Sequence, residues 1–287
     1  MSRMSDFPHN YLETIMRLRV AEAGEVEFAE FISGAVHALQ VDKAGNAYSA
    51  HPARVVLNVQ TYPEYEKFSP AQKSAVTAAA WLHDVVEDSG TNGFPPVSLG
   101  HLMTRNISVE AIEVIKLLTR PEDSSTEAQD AYYRGILTNP LALFVKWADI
   151  ADNLNEHRLA LLPATDQEKA RSKYAHALEI LVMTPEQRNW LKERILATPG
   201  ELTQNCPTCG RWVLSSQRYP RYVCHWCTFS TTDADGKTIS VYNSHILGYG
   251  VKVDGVEVES DYPVFVKGVA CTASEAYFGG IVIEAVE

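Results

Sequence analysis

The sequence predicts a mainly α-helical protein that gives way, near residue 200, to a smaller β-rich region. Three observations predict it. Apolar residues recur at spacings near three and four through much of residues 9–199. That period stops at Thr198-Pro-Gly200, beyond which short β-branched and aromatic runs follow one another. All five cysteines lie past this point, four of them in two C-x-x-C pairs. The expected division is 1–199 for the helical domain, 200–230 for the cysteine segment and 231–287 for a β-rich module.

The start, Met1 to Asn10, is polar and lacks the apolar core of a secretion signal. Val26, Phe28, Phe31, Ile32, Ala35 and Leu39 then mark one amphipathic face. Ala71 to Val86 is alanine-rich and apolar throughout, as a helix at a domain centre would be. Ser89–Pro96 and Arg120–Ser125 carry turn residues and read as loops. Pro140 opens a further buried helix, since proline suits a first helical position. Asp166–Met183 and Pro185–Ala197 give two more. Strand-like runs follow at Thr238–Tyr242, Val251–Val253, Val256–Val258 and Gly280–Glu284, with Asp254-Gly255 a hairpin signal between two of them.

A hydrophobic fraction of 46% supports a real core, and no run of 18 apolar residues predicts a membrane span. The net charge of -11 argues against broad binding to nucleic acid or anionic membrane as the main role. A phosphorylated ligand would need a metal or a local basic cluster. Residues 1–205 hold no cysteine. A secreted disulfide framework would spread its cysteines, so a reduced, cytoplasmic setting with one metal knuckle is expected.

His83 and Asp84 are adjacent on the alanine-rich helix, where neighbours point about 100° apart and meet only on an ion at the helix flank. Imidazole with carboxylate suits Mn, Fe, Zn or a similar divalent ion. Glu87 and Asp88 follow one turn later. Buried carboxylates are costly without a partner, and a cation is a natural one. A second helix brings Asp149 and Asn153 among apolar neighbours, and a third element brings His51. A lone His-Asp pair predicts little, and an isolated buried aspartate is more often a cap or an ion-pair partner. The combination from three elements is what points to a site.

Three blocks carry a resemblance: Ala35-Val-His37-Ala-Leu-Gln40-Val-Asp-Lys43-Ala-Gly45-Asn-Ala-Tyr48-Ser-Ala-His51-Pro52, then Ala79–Ser89 around His83-Asp84, then Val145–Leu154 around Asp149. In this order and spacing they resemble the hydrolase domain of the RelA/SpoT-type HD family, and its small alarmone hydrolases in particular, over about residues 27–185. The resemblance implies an HD-type helical bundle and a site for Mn2+, or another divalent ion, on His51, His83, Asp84 and Asp149. It places Glu87 and Asp88 where the family activates the attacking water. It places Lys43, Tyr48, Lys146, Asn153 and Tyr174 around a phosphorylated nucleotide, with His37 structural or standing behind the ligands. The implied reaction removes pyrophosphate from the 3′ position of guanosine tetra- or pentaphosphate. Asp42 departs from the arginine the family carries beside the base, and a carboxylate there would repel phosphate. Ser89 stands where threonine is usual. No synthetase-type segment follows residue 200.

Cys206, Cys209, Cys224 and Cys227 form C-x2-C, 14 residues, C-x2-C. Four thiolates at this spacing predict a tetrahedral structural Zn2+ site of the zinc-ribbon type. A redox pair and a rubredoxin-like iron remain alternatives. Arg211, Arg218 and Arg221 interleave with Trp212, Tyr219 and Tyr222, a composition that can bind nucleic acid but that also suits aromatics packing a thin ribbon core. The core reading is preferred. Cys271 reads as a buried small apolar residue. Residues 231–287 carry no catalytic motif and suit oligomerisation or docking of a protein partner. Three functional readings follow: a hydrolase of a hyperphosphorylated guanosine nucleotide, an HD phosphohydrolase for another nucleotide or phosphoester, and a nucleotide-sensing interaction protein without turnover.

Overall fold

The computed structural model describes residues 24–90, 95–199, 203–210, 212–243, 248–275 and 281–286. The chain divides between Leu202 and Thr203 into two compact units. Among the described residues no helix is long and apolar enough to cross a membrane.

The first unit is helical. Helix α1 (Glu25–Val36) buries Phe28, Ile32, Ala35 and Val36. It ends three residues before Leu39, which was expected on its apolar face and is instead 51% exposed. Helix α2 (Ala50–Gln60) follows a tight turn built on Asp42, whose Oδ1 accepts from the backbone N–H groups of Ala44 and Asn46 at 2.9 Å. Gly45 closes this turn at φ +83°, a conformation that favours glycine.

Helix α3 (Pro70–Leu82) starts at a capping box between Ser69 and Gln72 with proline in the first turn. Its Ala75, Ala78, Ala79 and Ala80 are fully buried. Small side chains let α1 and α2 approach it closely. The alanine-rich stretch was expected to run unbroken to Val86. The helix instead stops at Leu82, His83-Asp84 form a turn, and a short α4 (Val85–Asp88) resumes. Asp84, at φ −103° and ψ −6°, takes the bridge conformation common at functional sites.

Helices α5 (Leu99–Met103), α6 (Val109–Leu118) and α7 (Thr126–Ile136) lead to α8 (Pro140–Asn153). Asn139 caps α8 by accepting from Leu141 and Ala142. Helix α8 is buried along most of its length and packs on α2 and α3. A short α9 (Glu156–Leu159), α10 (Ala164–Ile180) and α11 (Pro185–Leu196) complete the unit. The site residues thus come from the start of α2, the α3–α4 break and the C-terminal half of α8.

The second unit holds a hairpin of β1 (Thr203–Asn205) and β2 (Trp212–Leu214), a short α12 (His225–Thr228), and two antiparallel sheets. One sheet orders β3 (Thr231–Thr232), β7 (Val264–Val266), β8 (Val269–Glu275) and β9 (Ile281–Ala285). The other orders β4 (Ile239–Asn243), β5 (Tyr249–Val253) and β6 (Val256–Val258). Asp254 and Gly255 both have positive φ and join Val253 to its partner Val256, the geometry the Asp-Gly signal predicts. Cys206, Cys224 and Cys227 share one core with Val251, Val266 and Ile283. The cysteine segment and the β-rich module, expected as separate, therefore form one unit.

Candidate metal centre and adjoining pocket

The break at the end of α3 turns His83 and Asp84 toward the same point. His83 Nε2 lies 3.1 Å from Asp84 Oδ2 and 3.2 Å from His51 Nε2. His51 Nε2 lies 3.5 Å from Asp84 Oδ2 and 3.4 Å from Asp149 Oδ1. His83 Nε2 and Asp149 Oδ1 are 3.9 Å apart. All four residues are buried. His51, His83 and Asp149 offer ligand atoms that all fall within 4.8 Å of one another, with Asp84 beside both imidazoles.

The hydrogen positions decide what this cluster is. His83 Nδ1 faces the carbonyl of Ala80 at 2.8 Å, and a carbonyl only accepts, so that nitrogen carries the hydrogen. His51 Nδ1 donates in the same way to Asp152 Oδ2 at 2.6 Å. Each neutral imidazole then aims a lone pair from Nε2 at the other and at two carboxylates. Four acceptors converge with no donor between them. Ligand atoms about 2.1 Å from an ion stand about 3.0 Å apart at adjacent octahedral corners and about 3.4 Å apart at tetrahedral ones. Three of the observed separations, 3.1, 3.2 and 3.4 Å, fall in that range and the other two, 3.5 and 3.9 Å, stand slightly wider, so the donor set fits a divalent ion after a small contraction.

Without a cation the surrounding carboxylates favour protonated imidazole instead. Burial alone would lower His51, but hydrogen bonds with Asp149, Asp152 and Asp84 outweigh it and push it up to about 10. His83 also rises, the charge of Asp84 overcoming burial. Burial would raise Asp84 and Asp149, yet the histidines hold the first, and Lys146 with the histidines the second, well below the usual carboxylate range.

A ring of partners holds these groups. Tyr48 Oη donates to Asp84 Oδ2 at 2.6 Å. Lys146, read from sequence as a substrate lysine, is buried and donates to Asp149 Oδ2 at 2.9 Å. Asn153 Nδ2 donates to the Asp149 backbone oxygen at 3.1 Å and to its carboxylate. Glu87 accepts from the Arg120 N–H at 2.7 Å and faces its guanidinium at 3.4 Å. Asp88 accepts from Gln40 Nε2 at 2.8 Å, and Gln40 is braced by His37 at 2.6 Å.

Sequence reasoning missed Asp152. Its carboxylate accepts from His51, from Arg54 Nε at 2.6 Å and from Arg158 Nη1. Burial would raise it, but His51, Arg158 and Arg54 together bring it to about 2. Asp152 fixes the His51 tautomer, the usual work of a carboxylate behind a ligating histidine. The signal available was a second aspartate three residues after Asp149 in an apolar helix.

A cavity of about 350 Å³ lies in this unit, lined by Lys43, Tyr48, Asn153, Arg158, Lys173 and Tyr174 among others. Tyr48 and Asn153 belong both to it and to the carboxylate ring. Lys173 is pushed down to about 8, first by partial burial and then by the charges of Arg120 and Lys146. Its side chain reaches solvent at the rim, where screening shortens such effects. Asp42 also lines this cavity, but its repulsion is offset: Oδ1 is used in its own turn and Oδ2 faces Arg158 Nη2 at 3.5 Å.

In the second unit, Cys206, Cys209, Cys224 and Cys227 offer sulfurs within 4.8 Å of one another and form no disulfide. Cys209 and Cys224 Sγ are 3.6 Å apart, near the edge of about 3.8 Å for a tetrahedral zinc thiolate. The Cys224 N–H donates to Cys206 Sγ at 3.2 Å. Cys271 is buried in β8, outside this group. Arg211 lies outside the described residues. Arg221 Nη2 donates to the Val286 carbonyl at 2.6 Å, and Tyr222 pairs with Glu284, so these two fasten the ribbon to the last strand. Compared with known proteins, the chain matches no family model and no curated protein sequence.

Asp152→Asn should weaken Mn2+ binding by about 10- to 100-fold, because the amide holds the His51 tautomer poorly. Titration calorimetry on folded variant would read it, and unchanged affinity would rule out the positioning role. Metal binding should also release protons. Since His51 holds its proton up to about 10 in the metal-free state, apparent Mn2+ affinity should rise by about tenfold or more per pH unit from about pH 6 to 8. A flat affinity over that range would contradict the proton-for-metal exchange.

Proposed function

We propose that the helical unit is a metal-dependent phosphohydrolase acting on a hyperphosphorylated guanosine nucleotide, removing pyrophosphate from its 3′ position. The observation that carries this reading is the convergence of His51, His83, Asp84 and Asp149 lone pairs beside a cavity lined by Lys43, Lys169, Lys173 and Arg158. The cations answer the charge of a polyphosphate in a chain that is acidic as a whole.

A bound divalent ion, manganese by family resemblance, would supply Lewis-acid polarisation of a phosphoryl oxygen and acidify water. The protein's own residues do the rest. Lys43 and Lys173 neutralise phosphate charge from the rim. Tyr48 and Asn153 border the cavity while fixing the Asp84 and Asp149 carboxylates. Glu87 and Asp88 are the carboxylates available to orient and deprotonate water, each steadied by a neighbour, Arg120 and Gln40.

One observation favours a second reading in which the same chemistry serves another nucleotide. Asp42 occupies the place of the family's base-side arginine and engages Arg158 at the cavity wall. The tetrathiolate group supports a structural Zn2+ in the second unit, where a closed four-sulfur site would add directly to folding.

With Mn2+ present, purified protein should release pyrophosphate from guanosine tetraphosphate, and Asp84→Ala should lose turnover by at least about 100-fold. Turnover of other nucleotides alone would select the second reading, and no metal-dependent turnover of any nucleotide would exclude both. Metal analysis of reduced protein should find zinc that Cys224→Ser no longer retains. Iron in its place, or no metal, would overturn the zinc assignment.

A further inference from the structure

The wall that Asp152 forms has a second cavity on it. This one, about 140 Å³, is lined by Arg54, Asn58, Asp152, Asn155 and Arg194, with the chain at Ala197–Pro199 closing one side. It shares only Asp152 and Arg54 with the surroundings of the metal centre, and none of its lining residues lines the nucleotide cavity. A single water needs about 10–15 Å³ of such space, so the volume admits a larger polyatomic guest.

Its charge is unbalanced. Among the described residues Asp152 is the sole acidic residue on its wall, and that carboxylate already serves His51, Arg54 and Arg158. Arg194 makes no ion pair among the described residues, and its Nε is buried there without a hydrogen-bond partner. A half-buried guanidinium left so is costly unless something answers it. Carbonyls at the C-terminal end of α11 would oppose an anion, but those of Arg194 and Ala197 are taken by Asn155 Nδ2 at 3.2 and 2.7 Å. His157 stands by the wall through its contact with Thr198 at 3.4 Å.

We propose that this cavity binds a phosphate-sized tetrahedral oxyanion between Arg54 and Arg194. The planar Arg194 fork matches such an anion through paired, charge-assisted hydrogen bonds, while Arg54, whose Nε and Nη2 already donate to Asp152 at 2.6 and 3.3 Å, contributes its charge and its remaining Nη1. The Asn58 amide, whose Nδ2 makes a long 3.3 Å bond to the Ala148 carbonyl, lies on the same wall. The site is independent of the hydrolase reading, because it requires neither the metal nor the nucleotide.

Inorganic phosphate would be titrated calorimetrically into the full chain with no manganese added. The wild type should bind it. Arg194→Met should weaken that binding by about tenfold or more, or about 1.4 kcal/mol. Arg194→Lys, which keeps charge but loses the fork, should fall between and serves if the methionine variant does not fold. A Lys43→Met/Lys173→Met variant, altered in the nucleotide cavity, should keep the Arg194-dependent event. No phosphate binding up to about 10 mM, or affinity unchanged in the Arg194 variants, would overturn the site. Either result would leave the hydrolase reading standing, since that is decided by metal-dependent turnover.

Discussion

Everything else in the helical unit is arranged around two imidazoles, each committed through Nδ1 to an acceptor and therefore obliged to present a lone pair from Nε2. With Asp84 and Asp149 opposite them, the centre of the bundle holds negative and lone-pair character that only protons or a cation can satisfy. Desolvating such groups costs several kcal/mol per charge, so the surroundings must repay it. Lys146, Arg54, Arg158 and the Tyr48 hydroxyl are those surroundings, and each contacts a site carboxylate or Asp152.

This constraint explains the local distortions. An unbroken α3 would have pointed His83 and Asp84 about 100° apart. The two-residue turn between α3 and α4 brings both to the same atom cluster, while the Asp88 N–H still donates to the Asp84 carbonyl at 2.9 Å, which keeps α4 in place. The alanines of α3 allow the close approach of α2 that brings His51 within 3.2 Å of His83.

Asp152 joins the centre to its flanks. Toward the larger cavity it engages Arg158, which in turn faces Asp42; toward the smaller cavity it engages Arg54. A buried carboxylate shared by three partners resists loss of any one, since removing a member of a buried ionic network costs about 3–5 kcal/mol. The second unit is built on a different principle. Three of its four clustered cysteines share one buried core with valines and isoleucines of the sheets, and Cys209 packs against that core.

The sequence by itself determined much of this. Helical periodicity, the composition change near residue 200, the Asp-Gly hairpin and the cysteine spacing each act through local chemistry, and His51, His83, Asp84 and Asp149 stood out as polar groups in apolar runs. The tertiary structure decided the rest. Lys146 is buried against Asp149, Asn153 braces Asp149 while also lining the larger cavity, Asp42 has its charge offset by a residue 116 positions away, and Asp152 orients a histidine 101 positions away. Those roles depend on which side chain fills the space opposite. A hydrogen bond or an ion pair acts over a few ångströms in space, whereas periodicity and motif spacing register only what is near along the chain.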